Sequence, residues 1–90
     1  MRNPIRGGQF KRDVKHAEKR GKDMAKLRKL LQLLIDGHPL PVEYRDHSLK
    51  GDWKHHRNSH IQPDWLLVYK IDGKDLYLVR TGTHADIFGL

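Results

Sequence analysis

The chain has 90 residues, with 18 Lys or Arg against 11 Asp or Glu, a formal net charge of +7 and no cysteine. These numbers exclude a disulfide framework and a thiolate nucleophile, and no apolar run approaches the ~18 residues that a membrane span needs. The basic excess attracts polyanions, nucleic acid first, then anionic membranes and acidic proteins. We expect a single domain over residues 1–90. The cytoplasm is the expected compartment, because the first ten residues lack the features of a signal peptide.

Two helices are predicted in the first half of the chain. Gln9–Arg20 is expected to form an amphipathic helix with a basic outer face. Its apolar positions are Phe10, Val14 and Ala17. After Gly21, a second helix begins at Lys22-Asp23, where an acidic residue in the first turn suits the helix dipole. Its apolar stripe comprises Met24, Leu27, Leu31 and Leu34, widened by Leu30 and Leu33. Gly37 and Pro39 end it, because they favour a left-handed cap and prevent continuation.

Strand-like segments follow in the second half. Pro39–Tyr44 is expected to be an extended connector, and Trp53–Ile61 is a plausible strand. Trp65–Ile71 is the strongest strand in the chain, since it is aromatic, β-branched and apolar on both faces. Asp72-Gly73 is typical of a two-residue hairpin turn. Leu76–Arg80 is predicted to return as the next strand.

The order of these segments predicts the architecture. The N-terminal Arg2–Arg6 could add an edge strand, which Pro4 makes short and weak. We therefore predict an α+β fold, in which an N-terminal helix hairpin packs on one face of a small antiparallel β-sheet. The other face, rimmed by loops that contain His47, Asp64 and His84, is where a groove could form.

The second half also concentrates residue types that suit phosphodiester chemistry. Its candidates are His47, His60, Asp64, Arg80 and His84. Cleaving RNA without a metal uses the 2′-hydroxyl as nucleophile, and it needs a base, an acid and a cation near the phosphorane. Histidine suits the first two tasks, and Arg or Lys suits the third. A carboxylate can orient an imidazole, and an aromatic ring can stack a base. The working hypothesis is a small endoribonuclease that uses no metal and no cofactor.

The remaining histidines have simpler interpretations. His16 and His38 are expected on the surface, on a helix and at a helix exit. His55 and His56 are adjacent, so a strand would send them to opposite faces, where solvent is the usual neighbour. The i, i+4 spacing of His56 and His60 could make half of a zinc site on a helix. Because the segment is predicted to be a strand, and no third ligand has matching spacing, zinc is not expected.

Five sequence motifs occur in a fixed order along the chain. They are K-D-M-x-K-L at Lys22–Leu27, D-H-x-L-x-G-x-W-K at Asp46–Lys54, H-I-x-P-D-W at His60–Trp65, R-T-G-T-H-A at Arg80–Ala85, and Ile87-Phe88-Gly89. From about Gln9 to Gly89, the sequence therefore resembles the YafQ-type toxins of the RelE-like branch of type II toxin–antitoxin systems. The resemblance implies a RelE-like fold and a metal-free mRNA interferase that cuts messenger RNA in the A site of the 70S ribosome. It also implies an acidic DinJ-like antitoxin as partner, and binding of operator DNA through the toxin–antitoxin complex.

The resemblance also implies site residues. The family's histidines match His47, His60 and His84, its acidic residue matches Asp64, and its arginine matches Arg80. We assign His84 as general acid and His60 or His47 as general base, with Asp64 orienting a histidine and Arg80 stabilising the phosphorane. The expected RNA contacts are Lys50, Lys54, Trp65 and Phe88. Trp53 and Trp65 are nevertheless more typical of core or sheet-face anchors than of base-stacking platforms.

A second function is compatible with the same composition. Basic and aromatic side chains alone could make a non-catalytic RNA- or DNA-binding module that acts with an acidic antitoxin. Such a module would keep its binding after loss of the histidines, and its affinity would fall steeply with salt.

Overall fold

The computed structural model describes residues 1–89; residue 90 of the predicted domain lies outside the described residues. Its helices and strands are β1 (Asn3–Arg6), α1 (Gly8–Lys19), α2 (Met24–Asp36), β2 (His47–Ser48), β3 (Arg57–Gln62), β4 (Trp65–Asp72), β5 (Asp75–Gly82) and α3 (His84–Phe88). Two short 3-10 turns, Val42–Tyr44 and Gly51–Trp53, flank β2. No helix of residues 1–89 is long and apolar enough to cross a membrane.

The five strands form one mixed sheet in the order β1-β5-β4-β3-β2. The predicted α+β class is confirmed, but the prediction of an antiparallel sheet is wrong at one edge, where β1 runs parallel to β5. The two helices carry the chain from the β1 edge to the far edge of the sheet. Three successive antiparallel reversals from β2 then return β5 beside β1, in the same direction.

Local signals account for the helix hairpin, which is confirmed. The Asp23 side chain caps α2 by accepting a hydrogen bond from the Ala25 N–H at 3.1 Å, because the first N–H groups of a helix have no partner within it. Gly37 ends α2 with a φ of 73°, a left-handed conformation that favours glycine. The buried residues of the two helices are Phe10, Asp13, Ala17, Leu27, Leu30 and Leu34.

Two predicted segments of the second half need correction. Trp53–Ile61 is not one strand: Gly51–Trp53 is a 3-10 turn, and the strand begins only at Arg57. The positive φ of Gly51 (67°) and of His55 (71°) turns the chain before β3 can start. The expected extended connector Pro39–Tyr44 likewise ends in a 3-10 turn.

The sheet has apolar packing on both faces. The helices cover one face, where they pack on Trp65, Leu67 and Tyr69 of β4. On the other face, Leu66 and Val68 pack against Ile87 of α3, and their half-buried neighbours are Leu49, Trp53, Val79 and Phe88. Each fully buried apolar side chain stabilises the fold by about 1.5–3 kcal/mol. The second face is therefore less open than predicted, because α3 and the 3-10 turn Gly51–Trp53 cover part of it.

Candidate active site

Three histidines from three different elements lie in a row. The ring centroids of His47 and His60 are 5.9 Å apart, and those of His60 and His84 are also 5.9 Å apart. Strand register explains this arrangement: His47 of β2 pairs with Asn58 of β3, two residues before His60. Leu66 of β4 has His60 on one side and Gly82 of β5 on the other. We call His47, His60 and His84 the histidine row.

Asp64 holds one end of the histidine row. It lies in the turn between β3 and β4, and its Oδ1 accepts hydrogen bonds from the His84 backbone N–H (2.9 Å) and from the ring Nδ1–H (2.6 Å). These two hydrogen bonds lower the pKa of Asp64, so the carboxylate is ionised at neutral pH. The Nδ1 proton of His84 is thereby fixed, and its Nε2 is left to exchange a proton with a substrate.

The short helix α3 fixes the backbone of His84. Thr83 and Asp86 form a capping box, in which each side chain accepts a hydrogen bond from the other residue's backbone N–H at 3.0 Å. Arg20, which follows α1, donates to both carboxylate oxygens of Asp86 at 2.7 and 3.2 Å. The hydrogen bond from Arg20 is the main cause of the strongly lowered pKa of Asp86. The start of α3 is therefore tied to the end of α1.

A half-buried carboxylate supports the other end of the histidine row. Asp46 accepts hydrogen bonds from Arg57 Nε (2.6 Å), from Ser59 Oγ (2.5 Å) and from the Tyr69 hydroxyl. Burial and the hydrogen bond to Asp46 raise the pKa of Tyr69, so the phenol keeps its proton and acts as a donor. Asp46 thus joins the backbone before β2 to β3 and β4, directly beside His47.

The hydrogen bond of the His47 ring sets its tautomer. Its Nδ1 lies 2.8 Å from the carbonyl oxygen of Arg45, which can only accept, so Nδ1 carries the proton. Arg45 has a φ of 47°, which directs its carbonyl toward the ring two residues later. In the neutral ring, Nε2 is then unprotonated and can accept a proton.

His60, at the centre of the row, lies in a different environment. Burial, and then the proximity of His47 and His84, lowers its pKa. A lowered pKa means that the ring is neutral at physiological pH. His60 is therefore able to accept a proton there, and it is poorly suited to donate one.

Arg80 is held by a residue that the sequence analysis did not select. Its Nε donates to Asp13 Oδ2 at 2.7 Å, and its Nη2 donates to Oδ1 at 3.3 Å. Asp13 is only 8% exposed and also accepts from the Gln9 amide and the Thr81 N–H. A signal for this role is present in the sequence: Asp13 occupies a core-facing position of α1, where an unpaired charge would be unfavourable.

The expected RNA contacts fall into two groups. Lys50 and Lys54 are exposed at the two ends of the 3-10 turn Gly51–Trp53, and Phe88 is half-buried, with its ring edge-on to Trp53 at 5.8 Å. The prediction that Trp65 contacts RNA is wrong. Its side chain is 1% exposed and donates through Nε1 to Thr81 Oγ1 at 3.0 Å, so it is a core anchor.

The metal-ligating residue types do not converge. Among residues 1–89, no three His, Asp or Glu side chains are placed to hold one metal ion. The predicted acid–base residues, by contrast, meet in one place, since His47, His60, His84 and Asp64 share a continuous set of contacts. The arrangement can accept a proton at one ring and donate a proton at another.

One family name recurs among the proteins that this chain resembles in sequence and in structure. A sequence model described as the bacterial toxin of type II toxin–antitoxin systems, YafQ, matches residues 2–89. The mRNA interferase toxin YafQ of Escherichia coli K12 is 54% identical over 83 residues, which are 91% of this chain and 90% of that protein. The crystal structure of YafQ from E. coli strain BL21(DE3) has a TM-score of 0.95 and 50% identity, covering 99% of this chain and 100% of the other. The crystal structure of the E. coli DinJ–YafQ complex matches with a TM-score of 0.93, at 51% identity and the same coverage.

Proposed function

The chain belongs to the YafQ family of bacterial toxins from type II toxin–antitoxin systems, and we propose that it is an mRNA endoribonuclease that inhibits translation. The observation that carries this proposal is the histidine row, in which His84 is oriented by Asp64 and lies 5.9 Å from the neutral ring of His60. Two imidazoles in different environments are what a proton-transfer reaction at a phosphodiester needs.

The proposed reaction is attack by the ribose 2′-oxygen on the adjacent phosphorus. His60 or His47 takes the 2′-hydroxyl proton: the lowered pKa of His60 keeps its ring neutral, and the contact of His47 Nδ1 with the Arg45 carbonyl leaves Nε2 of His47 available. The 2′-oxygen–phosphorus bond forms and the bond to the 5′-oxygen breaks, while His84 Nε2 gives its proton to the departing oxygen. The products are a cyclic phosphate and a 5′-hydroxyl. This sequence of steps balances without a metal ion or a cofactor.

Charge stabilisation and RNA binding involve other residues. Arg80 faces the developing negative charge of the phosphorane, which is where a fixed cation has most effect. Lys50 and Lys54 contact the message or ribosomal RNA backbone, and Phe88 supports the cleaved nucleotide by stacking. Base stacking of this kind contributes about 1–3 kcal/mol per base.

The partners follow from the family. The E. coli relative has been crystallised in complex with DinJ, and we propose that this chain, with its net charge of +7, binds a DinJ-like acidic antitoxin. Operator DNA is bound through that complex. The substrate is messenger RNA in the A site of the 70S ribosome, so the site of action is the cytoplasm.

The decisive experiment is primer extension on cellular messages after induction of the wild type and of His84→Ala. We expect discrete cuts within codons for the wild type and none for the variant, with circular dichroism showing that the variant is folded. The matched control is His38→Ala, which changes an exposed histidine outside the row and should cut like the wild type. A His84→Ala protein that cuts normally would contradict the acid–base mechanism. A wild type that binds RNA without cutting it would favour the non-catalytic binding module.

A further inference from the structure

A cavity of about 400 Å³ opens beside the histidine row. It lies between α2 and β3, and His60 belongs both to the lining of the cavity and to the row. An occupant of this cavity therefore lies beside a residue whose ring is 5.9 Å from each of the other two histidines. For an RNA strand cleaved at the row, such an occupant would be a nucleotide close to the bond that is cut.

The rim of the cavity is positively charged. Lys26 and Lys29 of α2 line it together with Arg45, against one acidic residue, Glu43. The two lysines are three positions apart, so they project from the same face of the helix, with about 4.5 Å between them along its axis. Both are exposed, and neither has a carboxylate within 4.0 Å among residues 1–89. Their charges are thus available to an external anion.

The other lining residues have a different chemistry. Tyr44, which is 8% exposed, lines the cavity with Ile61, with the polar Gln62 and with the exposed Pro63. Apolar surface in the same cavity as cationic side chains suits a nucleotide, whose phosphate contacts the lysines while its sugar and base contact the apolar groups. An acidic peptide could pair with the cationic residues, but its binding would not explain why the cavity lies beside His60.

We propose that this cavity is a subsite for the message nucleotide that flanks the scissile bond, with Lys26 and Lys29 binding its phosphate. The inference rests on the proposed function, because it places the subsite relative to the cleavage step. It adds two binding residues on α2, an element that contributes nothing to the acid–base chemistry.

The test is the salt dependence of RNA binding. The probe is a short fluorescent RNA that spans a mapped cut site and carries a 2′-O-methyl group there, so that it binds without being cleaved. The slope of log K against log salt is negative, and each neutralised phosphate that is lost reduces its magnitude by about 0.7 for a single strand. Because the two lysines bind one phosphate, we expect a reduction of about 0.7 for Lys26→Gln/Lys29→Gln. The matched control, Lys11→Gln/Lys15→Gln, removes the same charge from a different cavity, between α1 and α2, and should keep the wild-type slope.

Four outcomes separate the possibilities. Equal slopes for the two double variants would overturn the subsite, because the effect would then come from net charge alone. A defect on programmed ribosomes without any defect on the free RNA would also overturn it, in favour of ribosomal RNA as the ligand. Trimming the probe to the scissile dinucleotide without terminal phosphates removes the phosphate proposed to bind the lysines, so it should abolish the difference between the wild type and Lys26→Gln/Lys29→Gln; a difference that persists would overturn the subsite. If the wild type does not cleave message but the two double variants still differ in slope, the proposed function is refuted. RNA binding in the cavity is then still supported.

Discussion

The guanidinium of Arg80 is aligned by the carboxylate of Asp13, with Nε 2.7 Å from Oδ2 and Nη2 3.3 Å from Oδ1. This contact joins β5 to α1 across 67 positions of the chain. It occupies one edge of the guanidinium, and among the described residues no hydrogen bond uses Nη1. Asp13 therefore decides which edge of Arg80 is left available to the phosphate that we propose it binds.

Replacing Asp13 by Asn should uncouple Arg80 from α1. We expect the single-turnover cleavage rate to fall about tenfold, since a misaligned cation stabilises the phosphorane less than a fixed one. The free energy of unfolding should decrease by about 1–3 kcal/mol, because a buried group loses its charged partner. Quenched single-turnover assays measure the cleavage rate, and urea unfolding measures the free energy of unfolding.

The control for this prediction is a double-mutant cycle with Arg80→Ala. If Asp13 acts through Arg80, the double variant should cleave no more slowly than Arg80→Ala alone. Independent, multiplicative losses of rate would show that Asp13 only supports the fold.

Asp64→Asn should impair the leaving-group step. An amide can place either its oxygen or its nitrogen against Nδ1, so it no longer fixes the proton there. The rate should fall by less than the roughly 10²–10⁴-fold expected for His84→Ala. A substrate with sulfur in place of the departing 5′-oxygen needs little help from an acid. It should restore both variants nearly to the wild-type rate, and a persistent defect would argue against His84 as the acid.

His60 should make the fold sensitive to mild acid. Its pKa is lowered in the folded state, so folding favours the neutral ring. The resulting stabilisation is fully present above the ordinary pKa of 6.5 and is lost as the pH falls through the lowered value. Urea unfolding of the wild type at a series of pH values below 7.5 should show this loss, and His60→Gln should remove it. The same substitution at exposed His38 should leave the wild-type pH dependence in place.

We expect the capping box of α3 to affect the cleavage rate more strongly than its small contribution to stability suggests. Thr83→Ala removes the side chain that accepts the Asp86 N–H, a change that usually costs about 1 kcal/mol. In a helix of five residues, this loss should fray the first turn and release His84. We expect slower cleavage at unchanged RNA affinity. Thr83→Ser keeps the accepting oxygen and should behave as the wild type; if it is as slow as Thr83→Ala, the cap is not the cause.

Local sequence signals predicted the helices and strands better than they predicted which strands pair with each other. Apolar spacing and caps gave α1 and α2 to within about two residues at each end, and the Asp72-Gly73 turn gave the β4–β5 hairpin. Such signals are local and do not specify which distant strand lies alongside. The parallel pairing of β1 with β5 therefore had no local signature, because it depends on how many times the chain reverses in between.

For the site, the residue types in the sequence identified most candidates, whereas the direction in which each side chain faces could not be predicted. The sequence indicated His47, His60, Asp64 and His84 as a group, and the strands bring them together. Trp65 was misassigned because an aromatic strand residue looks the same whether it faces RNA or the core. Asp46 was missed because a carboxylate that aligns other side chains has no motif of its own. Asp13 was missed because only the apolar residues on the core-facing side of α1 were considered, although its charge at such a position was a signal.

The pairing of β1 with β5 also bears on how the protein becomes active. Asn3 and Asp75, which touch across this edge, are 72 positions apart, and contacts between such distant residues form late and slowly in folding. The groups proposed for cleavage are spread over β2, β3, β5 and α3, so a partly folded chain holds them at no fixed distance from one another. The activity of cutting RNA should therefore appear in one step, when the sheet closes. Newly made toxin would be inactive before that step, so that a partner could bind it before it cuts RNA.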